Sequence, residues 1–263
     1  MAEKPTALVT GASSGIGLEL ARLFAKGGHD LILVARNEAK LNELALYLGK
    51  MYRCNVEVIP ADLSQPEVPE ALVEELKTRG LTVDVLVNNA GFGETTPFAQ
   101  QDMSRVIEMI QLNMTTLTQL TRLLLPPMLA AKRGRILNVA SVAAFAPGPL
   151  MAVYYATKAY VLSFSEAIAN ELKGTGVTVT ALCPGPTRTG FATAAGATSS
   201  NLFSTPGVME AAPVAEAGYR GCMNGKAIVI PGLFNKILVW VIAFSPRWIV
   251  TPISRRLQER KVE

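Results

Sequence analysis

The chain has 263 residues, of which 49% are hydrophobic and 17% charged, with a formal net charge of +4; this is the profile of one globular domain with a generous core. The cations are scattered without a Lys/Arg-dense stripe, which excludes a nucleic-acid surface. No His/Cys/Asp cluster has metal-ligand spacing, Cys54, Cys183 and Cys222 form no C-x-x-C pair, and the single histidine, His29, sits in the turn Gly27-Gly28-His29-Asp30, so metal catalysis, a disulfide framework and a Ser-His-Asp triad are all unsupported.

Residues 5–10 (PTALVT) read as a strand, followed at once by Gly11-Ala12-Ser13-Ser14-Gly15-Ile16-Gly17 and a helical pattern over 18–26. A strand, a glycine turn and a helix N-terminus together offer unpaired N–H groups and a positive dipole end to a pyrophosphate. The start of this strand leaves no room for a signal peptide, and with the unpaired cysteines it suggests a reducing, cytoplasmic setting. Residues 30–35 (DLILVA) form a second strand. Where a dinucleotide fold places an acid for the adenosine ribose, this chain has Ala35-Arg36, and Arg36, with Ser13 as hydroxyl donor, suits a 2′-phosphate and hence NADP(H).

Residues 37–52 form an amphipathic helix and 56–60 a third strand, which ends in Ala61-Asp62-Leu63-Ser64. Asp62 can accept from an adenine amino group, Asp62 or Ser64 can cap the helix starting near Pro66, and both roles can coexist. A fourth strand, 83–87, closes on Asn88-Asn89-Ala90-Gly91, where small and amide residues let the backbone lie against a flat cofactor while the amides tie neighbouring strand ends. A long helix follows over about 102–132. Asn113 inside it hints at a kink or a polar task, and Pro126-Pro127 should disturb its far end.

The apolar run 136–140 reads as a buried fifth strand, which places Ser141 at the ligand crevice of an open parallel sheet. Tyr154 and Lys158 stand four apart in a Gly- and Pro-free helical stretch, so they share one face. An ammonium there is expected to lower the phenol pKa from its usual value of about 10 and make Tyr154 a usable acid/base. Taken alone, such a pair is more often simply solvated. Tyr155 points about 100° away around the helix and is expected to pack on a neighbour. A sixth strand at 177–182 leads to Cys183-Pro184-Gly185-Pro186-Thr187-Arg188-Thr189, a lid rich in small residues over 190–207, and a seventh strand at 227–231. Strands alternating with helices predict a Rossmann-type α/β fold, a doubly wound parallel seven-stranded sheet with helices on both faces, in a single domain.

Taken together, Thr10-Gly11-x-x-x-Gly15-Ile16-Gly17, Asp62, Asn88-Asn89-Ala90-Gly91, Asn113, Ser141, Tyr154-x-x-x-Lys158 and Pro184-Gly185-x-x-x-Thr189 resemble the short-chain dehydrogenase/reductase family over residues 5–232. The resemblance implies Tyr154 as proton donor or acceptor, Ser141 polarising the substrate carbonyl, Lys158 binding the nicotinamide ribose and lowering the Tyr154 pKa, and Asn113 holding a water that links Lys158 to solvent. It implies further that Thr189 and the backbone near Thr187 fix the carboxamide, and that the chain is a homodimer or homotetramer built through the helices carrying Asn113 and Tyr154. The cofactor set is then Gly11, Ser13, Ser14, Gly15, Ile16, Gly17, Arg36, Asp62, Leu63, Asn89, Ala90, Gly91, Tyr154, Lys158, Pro184, Gly185, Thr187 and Thr189. Phe92, Phe145, Met151, Phe191 and Phe203 flank the site and favour an apolar ketone or aldehyde. A 3-oxoacyl thioester reductase and a hydroxysteroid-type dehydrogenase are rival enzymatic readings, and an NADP(H)-sensing scaffold without turnover is the non-enzymatic one.

Residues 1–232 are expected to form the catalytic domain and 233–263 a helical extension of it. The apolar run 237–244 is far shorter than the ~20 residues that span a bilayer, and a basic end, Arg255-Arg256-Leu257-Gln258-Glu259-Arg260-Lys261, follows. Trp240, Phe244 and Trp248 are expected to pack on the lid or a partner subunit; the alternative is peripheral membrane contact through 234–261.

Overall fold

The structure, a computed structural model, describes residues 4–196 and 200–259, with the side chains of Phe203 and Ser204 outside the described set. The chain alternates β1 (Thr6–Thr10), α1 (Gly15–Lys26), β2 (Asp30–Ala35), α2 (Glu38–Tyr52), β3 (Val56–Pro60), α3 (Val68–Thr78), β4 (Val85–Asn88), α4 (Met103–Ile110), α5 (Leu117–Ala130), β5 (Gly134–Val139), α6 (Ala152–Glu171) and β6 (Val177–Leu182). It continues with β7 (Thr187–Arg188), α7 (Phe191–Ala194), β8 (Met209–Glu210), α8 (Ala211–Met223), β9 (Ile228–Val229), α9 (Leu233–Phe244) and α10 (Arg247–Gln258). Seven parallel strands make one sheet in the order β3-β2-β1-β4-β5-β6-β9, as the alternation of elements predicts.

The inner strands are largely apolar because they are covered on both sides. In β1, Ala7 and Val9 face a core shared with α1, α2 and α8, while Leu8 faces the opposite core with α3 and α5. A polar ladder crosses the second layer. The β4–β5 register sets Asn88 beside Asn138; Asn88 Nδ2 donates to Asn138 Oδ1 at 2.9 Å and to Thr121 Oγ1 at 3.1 Å. Asn138 Nδ2 then donates to Ser165 Oγ at 2.9 Å, and Ser165 Oγ to the Val161 carbonyl. The ladder pins α5 and α6 to the strands they cover, with every link buried.

Two local expectations are corrected. The helix around Asn113 is interrupted as expected, by a π-helical stretch over Gln111–Thr116, but Pro126 and Pro127 do not disturb its end, and α5 runs through them to Ala130. Both prolines lie on the exposed side of α5 while Leu124 and Met128 are buried, so water can satisfy the carbonyls that the missing N–H groups release. The last strand shrinks to Ile228–Val229, paired with Ala181 and Leu182, because it is the sheet's edge.

Asn138→Ala should remove the ladder's centre, leaving Asn88 bonded only to Thr121 and Ser165 only to the Val161 carbonyl. We expect a loss of about 2–3 kcal/mol, read by urea unfolding; a loss within error would show that the ladder does not couple the layers.

Candidate functional site

A crevice of about 560 Å³ opens at the carboxyl ends of the strands, the position that an open parallel sheet reserves for ligands. At one end the β1–α1 turn supplies Gly11, Ser13, Ser14, Gly15 and Ile16. Gly11 takes a φ of +65°, and Asn89 Nδ2 donates to the Thr10 carbonyl at 2.9 Å, locking β4's end against the turn. Ser14 stands at the N-cap of α1 without capping it through its side chain, so the first-turn N–H groups remain available to an anion. Arg36 follows on the rim, exposed and without an ion pair among the described residues, with Lys40 of α2 beside it on the same wall. Asp62, Leu63, Asn89, Ala90 and Gly91 line the middle. The Asp62 carboxylate accepts from Ser64 N and Oγ at 3.1 and 2.7 Å, which closes a local turn; it does not cap α3, whose N-cap is Glu67.

At the other end Ser141, Tyr154 and Lys158 line the crevice with Pro184, Gly185 and Thr187, while Thr189 reaches back against Gly15 of the glycine turn. Ser141 caps the 3-10 turn Val142–Phe145, its Oγ accepting from Ala143 N at 3.0 Å. Lys158 is buried at 6% exposure, and its Nζ donates to the Val139 carbonyl at 2.7 Å and lies 5.7 Å from the Tyr154 ring centroid. Burial lowers the Lys158 pKa to about 8. Burial also raises the Tyr154 phenol well above its ordinary value, with Ser141 opposing as hydrogen-bond partner and Tyr155 adding to the rise. The expected lowering by Lys158 is therefore overturned: desolvation of the phenolate outweighs the pull of an ammonium already committed to a carbonyl. At neutral pH the site holds a protonated phenol beside a charged lysine. The Cys183 thiol behind them is pushed up to about 12 by burial and is inert as a nucleophile.

Several residues occupy places other than those expected. Gly17 is buried behind the crevice, where a Cβ would come within 2.4 Å of both Asn89 Nδ2 and Gly11 O; it lets α1 approach the turn. Asn113 also sits behind the wall, with Nδ2 donating to the Phe92 carbonyl at 2.9 Å and to Thr157 Oγ1 at 3.1 Å, and Oδ1 accepting from Phe92 N at 3.1 Å. Phe92, Met151 and Phe191 line the crevice, whereas Phe145 turns into a separate cluster with Leu117, Ala140 and Val161. The side chain of Phe203 lies outside the described residues. Sequence reasoning missed Lys40, Arg105, whose guanidinium stacks 4.3 Å over the Phe92 ring, and Gln258. As expected, Tyr155 packs on a neighbour: its hydroxyl accepts from Gln258 Nε2 at 2.6 Å. This partner is 103 residues away, and Gln258 itself reaches the crevice.

The sequence model of the short chain dehydrogenase family matches residues 5–200. The very-long-chain 3-oxoacyl-CoA reductase of Phaeosphaeria nodorum is 36% identical over 177 residues, 66% of this chain and 52% of the relative. That of Danio rerio is 36% identical over 182 residues, 68% of this chain and 56% of the relative, so the chain spans only about half the length of these two. The ketoacyl reductase HetN of a Nostoc species is 32% identical over 279 residues, covering 98% of this chain and 94% of the relative. Among solved structures, a short-chain dehydrogenase from Sphingobium yanoikuyae in complex with NADPH superposes with a TM-score of 0.81 at 35% identity, over 92% of this chain and 97% of that one. With a family match over three quarters of its length, a parallel sheet of the corresponding topology, and Ser141, Tyr154 and Lys158 gathered on one wall of its ligand crevice, the chain belongs to the short-chain dehydrogenase/reductase family.

Proposed function

We propose that this chain is an NADP(H)-dependent oxidoreductase that interconverts an apolar ketone or aldehyde with its alcohol. The observation that carries the reading is the layout of a single crevice: an uncapped helix N-terminus with two free cations at one end, and a buried Ser141–Tyr154–Lys158 wall at the other. The fit to NADP(H) rests on Arg36 and Lys40, both exposed at the rim with no ion-paired acid among the described residues, and the NADPH complex of the Sphingobium relative supports it. When bound, the nicotinamide supplies the hydride. Tyr154, kept protonated by burial, gives its proton to the oxygen that gains charge, and Ser141 orients that oxygen. Lys158 holds a positive charge against the phenolate that results. We assign Thr187 and Thr189 to the carboxamide side, Asp62 and Leu63 to the adenine side, and to Asn113 the fixing of the Phe92 backbone that walls the substrate end.

A 3-oxoacyl thioester is the second substrate reading. It is favoured by the names of the relatives in Phaeosphaeria, Danio and Nostoc and by the apolar lining of Phe92, Met151 and Phe191. We further infer a cytoplasmic-type reducing setting from three free, buried cysteines and a homodimer or homotetramer from the family resemblance, with 233–258 folding as part of the catalytic unit.

Tyr154→Phe should abolish ketone reduction by a factor of about 10²–10⁴ in a single-turnover assay while NADPH still binds, and Tyr155→Phe should be much milder; reversed outcomes would defeat the assignment. Because Lys158 is charged below about 8 and neutral above, kcat/KM for reduction should fall as pH rises through that value. The fall should move to higher pH in Lys158→Arg, whose guanidinium stays charged; an unmoved inflection would assign it elsewhere. Arg36→Ala should weaken NADPH by about 10- to 100-fold, the worth of a charge-assisted contact, and leave NADH unchanged in fluorescence titration. Equal losses for both cofactors would show that Arg36 does not read the phosphate.

A further inference from the structure

Of the two packings expected for Trp240, Phe244 and Trp248, on the lid or on a partner subunit, the first is not met among the described residues. Trp240, Phe244 and Trp248 are 65%, 73% and 77% exposed and lie neither on the lid nor in the core among the described residues. What packs inward is the other face of each helix: Asn235 and Val239 of α9, and Val250, Ser254 and Gln258 of α10. Asn235 Nδ2 donates to the carbonyls of Pro231 and Gly207, Asn201 Nδ2 donates to the Arg256 carbonyl, and Gln258 Nε2 to Tyr155. The hairpin is therefore firmly seated on the domain, and its outward face is a fixed surface.

On α9 that outward face carries Leu233, Ile237, Trp240, Val241 and Phe244, whose spacing of three and four makes one stripe. On α10, Trp248, Ile249 and Ile253 are likewise exposed. So large an apolar face needs an occupant. Its charge is one-sided: residues 233–258 hold Lys236, Arg247, Arg255 and Arg256 and no Asp or Glu. Among the described residues only Arg255 makes an ion pair, with Glu259. A second copy docking on this face across a two-fold axis would set the patch against itself and bring cations to cations. An anionic bilayer meets both features, since apolar side chains enter the acyl boundary, Trp sits at the interface and the cations find lipid phosphates. Among the described residues no helix is long and apolar enough to cross a membrane, and the 12 residues of α9 reach only about 18 Å, so the hairpin lies on the surface instead of spanning it.

We propose that the outward face of α9 and α10 is a peripheral docking surface for anionic phospholipid. One helix, α10, then has its outer face toward lipid and its inner face, through Gln258 and Tyr155, on the wall of the ligand crevice.

Trp240 and Trp248 are the only tryptophans of the chain, so its fluorescence reports this face alone. Full-length protein mixed with phosphatidylcholine vesicles containing phosphatidylglycerol should shift its emission to shorter wavelength, be quenched by bromine-labelled acyl chains and co-sediment. Vesicles of phosphatidylcholine alone should do much less, and added salt should weaken the effect. The double variant Phe244→Glu/Ile253→Glu keeps both reporters and should lose the shift and the sedimentation with an unchanged thermal midpoint; Arg247→Glu should lose the preference for anionic vesicles. No shift with any vesicle would overturn the proposal. So would an emission that moves to shorter wavelength with protein concentration in the absence of lipid, which would give the face to a second copy.

Discussion

A buried ammonium is tolerated only where its protons find acceptors, and the bond from Lys158 Nζ to the Val139 carbonyl is the constraint around which this site is arranged. Val139 is the last residue of β5, and its carbonyl is available because the chain leaves the sheet there. The lysine must come from a helix that crosses this strand end closely. Asn138, one residue earlier, holds Ser165 of the same helix through the polar ladder, so α6 is fixed at two points nearly two turns apart. Tyr154, one turn before Lys158, then has little freedom in where its ring lies.

The same burial decides the protonation states. If proximity to a cation ruled, the phenol would be acidic and suited to taking a proton; here desolvation wins for both groups, keeping the phenol protonated and bringing the lysine within reach of neutral pH. That pairing suits proton donation, and it makes the lysine the group whose charge changes first as pH rises. Dehydrating a crevice in this way strengthens the remaining electrostatic interactions.

Much of the fold was legible because its signals are local. Strands covered on both faces must read as short apolar runs, so β1, β2, β4, β5 and β6 stand out in the sequence, and a glycine turn between a strand and a helix fixes one end of the crevice. The spacing of Tyr154 and Lys158 placed the other. The errors arose where side-chain direction or distant partners decide. Phe145 and Met151 flank the same stretch, yet the 3-10 turn after Ser141 rotates Phe145 into a different cluster. Pro126 and Pro127 break a helix by rule, but their side of α5 faces water. Lys40 joins Arg36 because only two residues separate β2 from α2, so that the first turn of α2 reaches the rim. Gln258 meets Tyr155 from 103 residues away, and no local pattern announces that.

The C-terminal hairpin shows the limit of periodicity most directly. In the run from Leu233 to Phe244 almost every position is apolar, so a 3.6-residue pattern cannot say which side is core. The decision falls to two polar residues. Asn235 is buried where its Nδ2 donates to the Pro231 and Gly207 carbonyls, and a Cβ on Gly185 or Gly207 would collide with its carboxamide; once that amide is turned inward, Leu233, Ile237, Trp240 and Phe244 must turn outward. Gln258 does the same for α10, committing Val250 and Ser254 to the inside and leaving Trp248 and Ile253 outside. Two amides thus orient helices whose hydrophobicity alone would allow either face to be buried, and the apolar surface left outside follows from turning their N–H groups toward acceptors within.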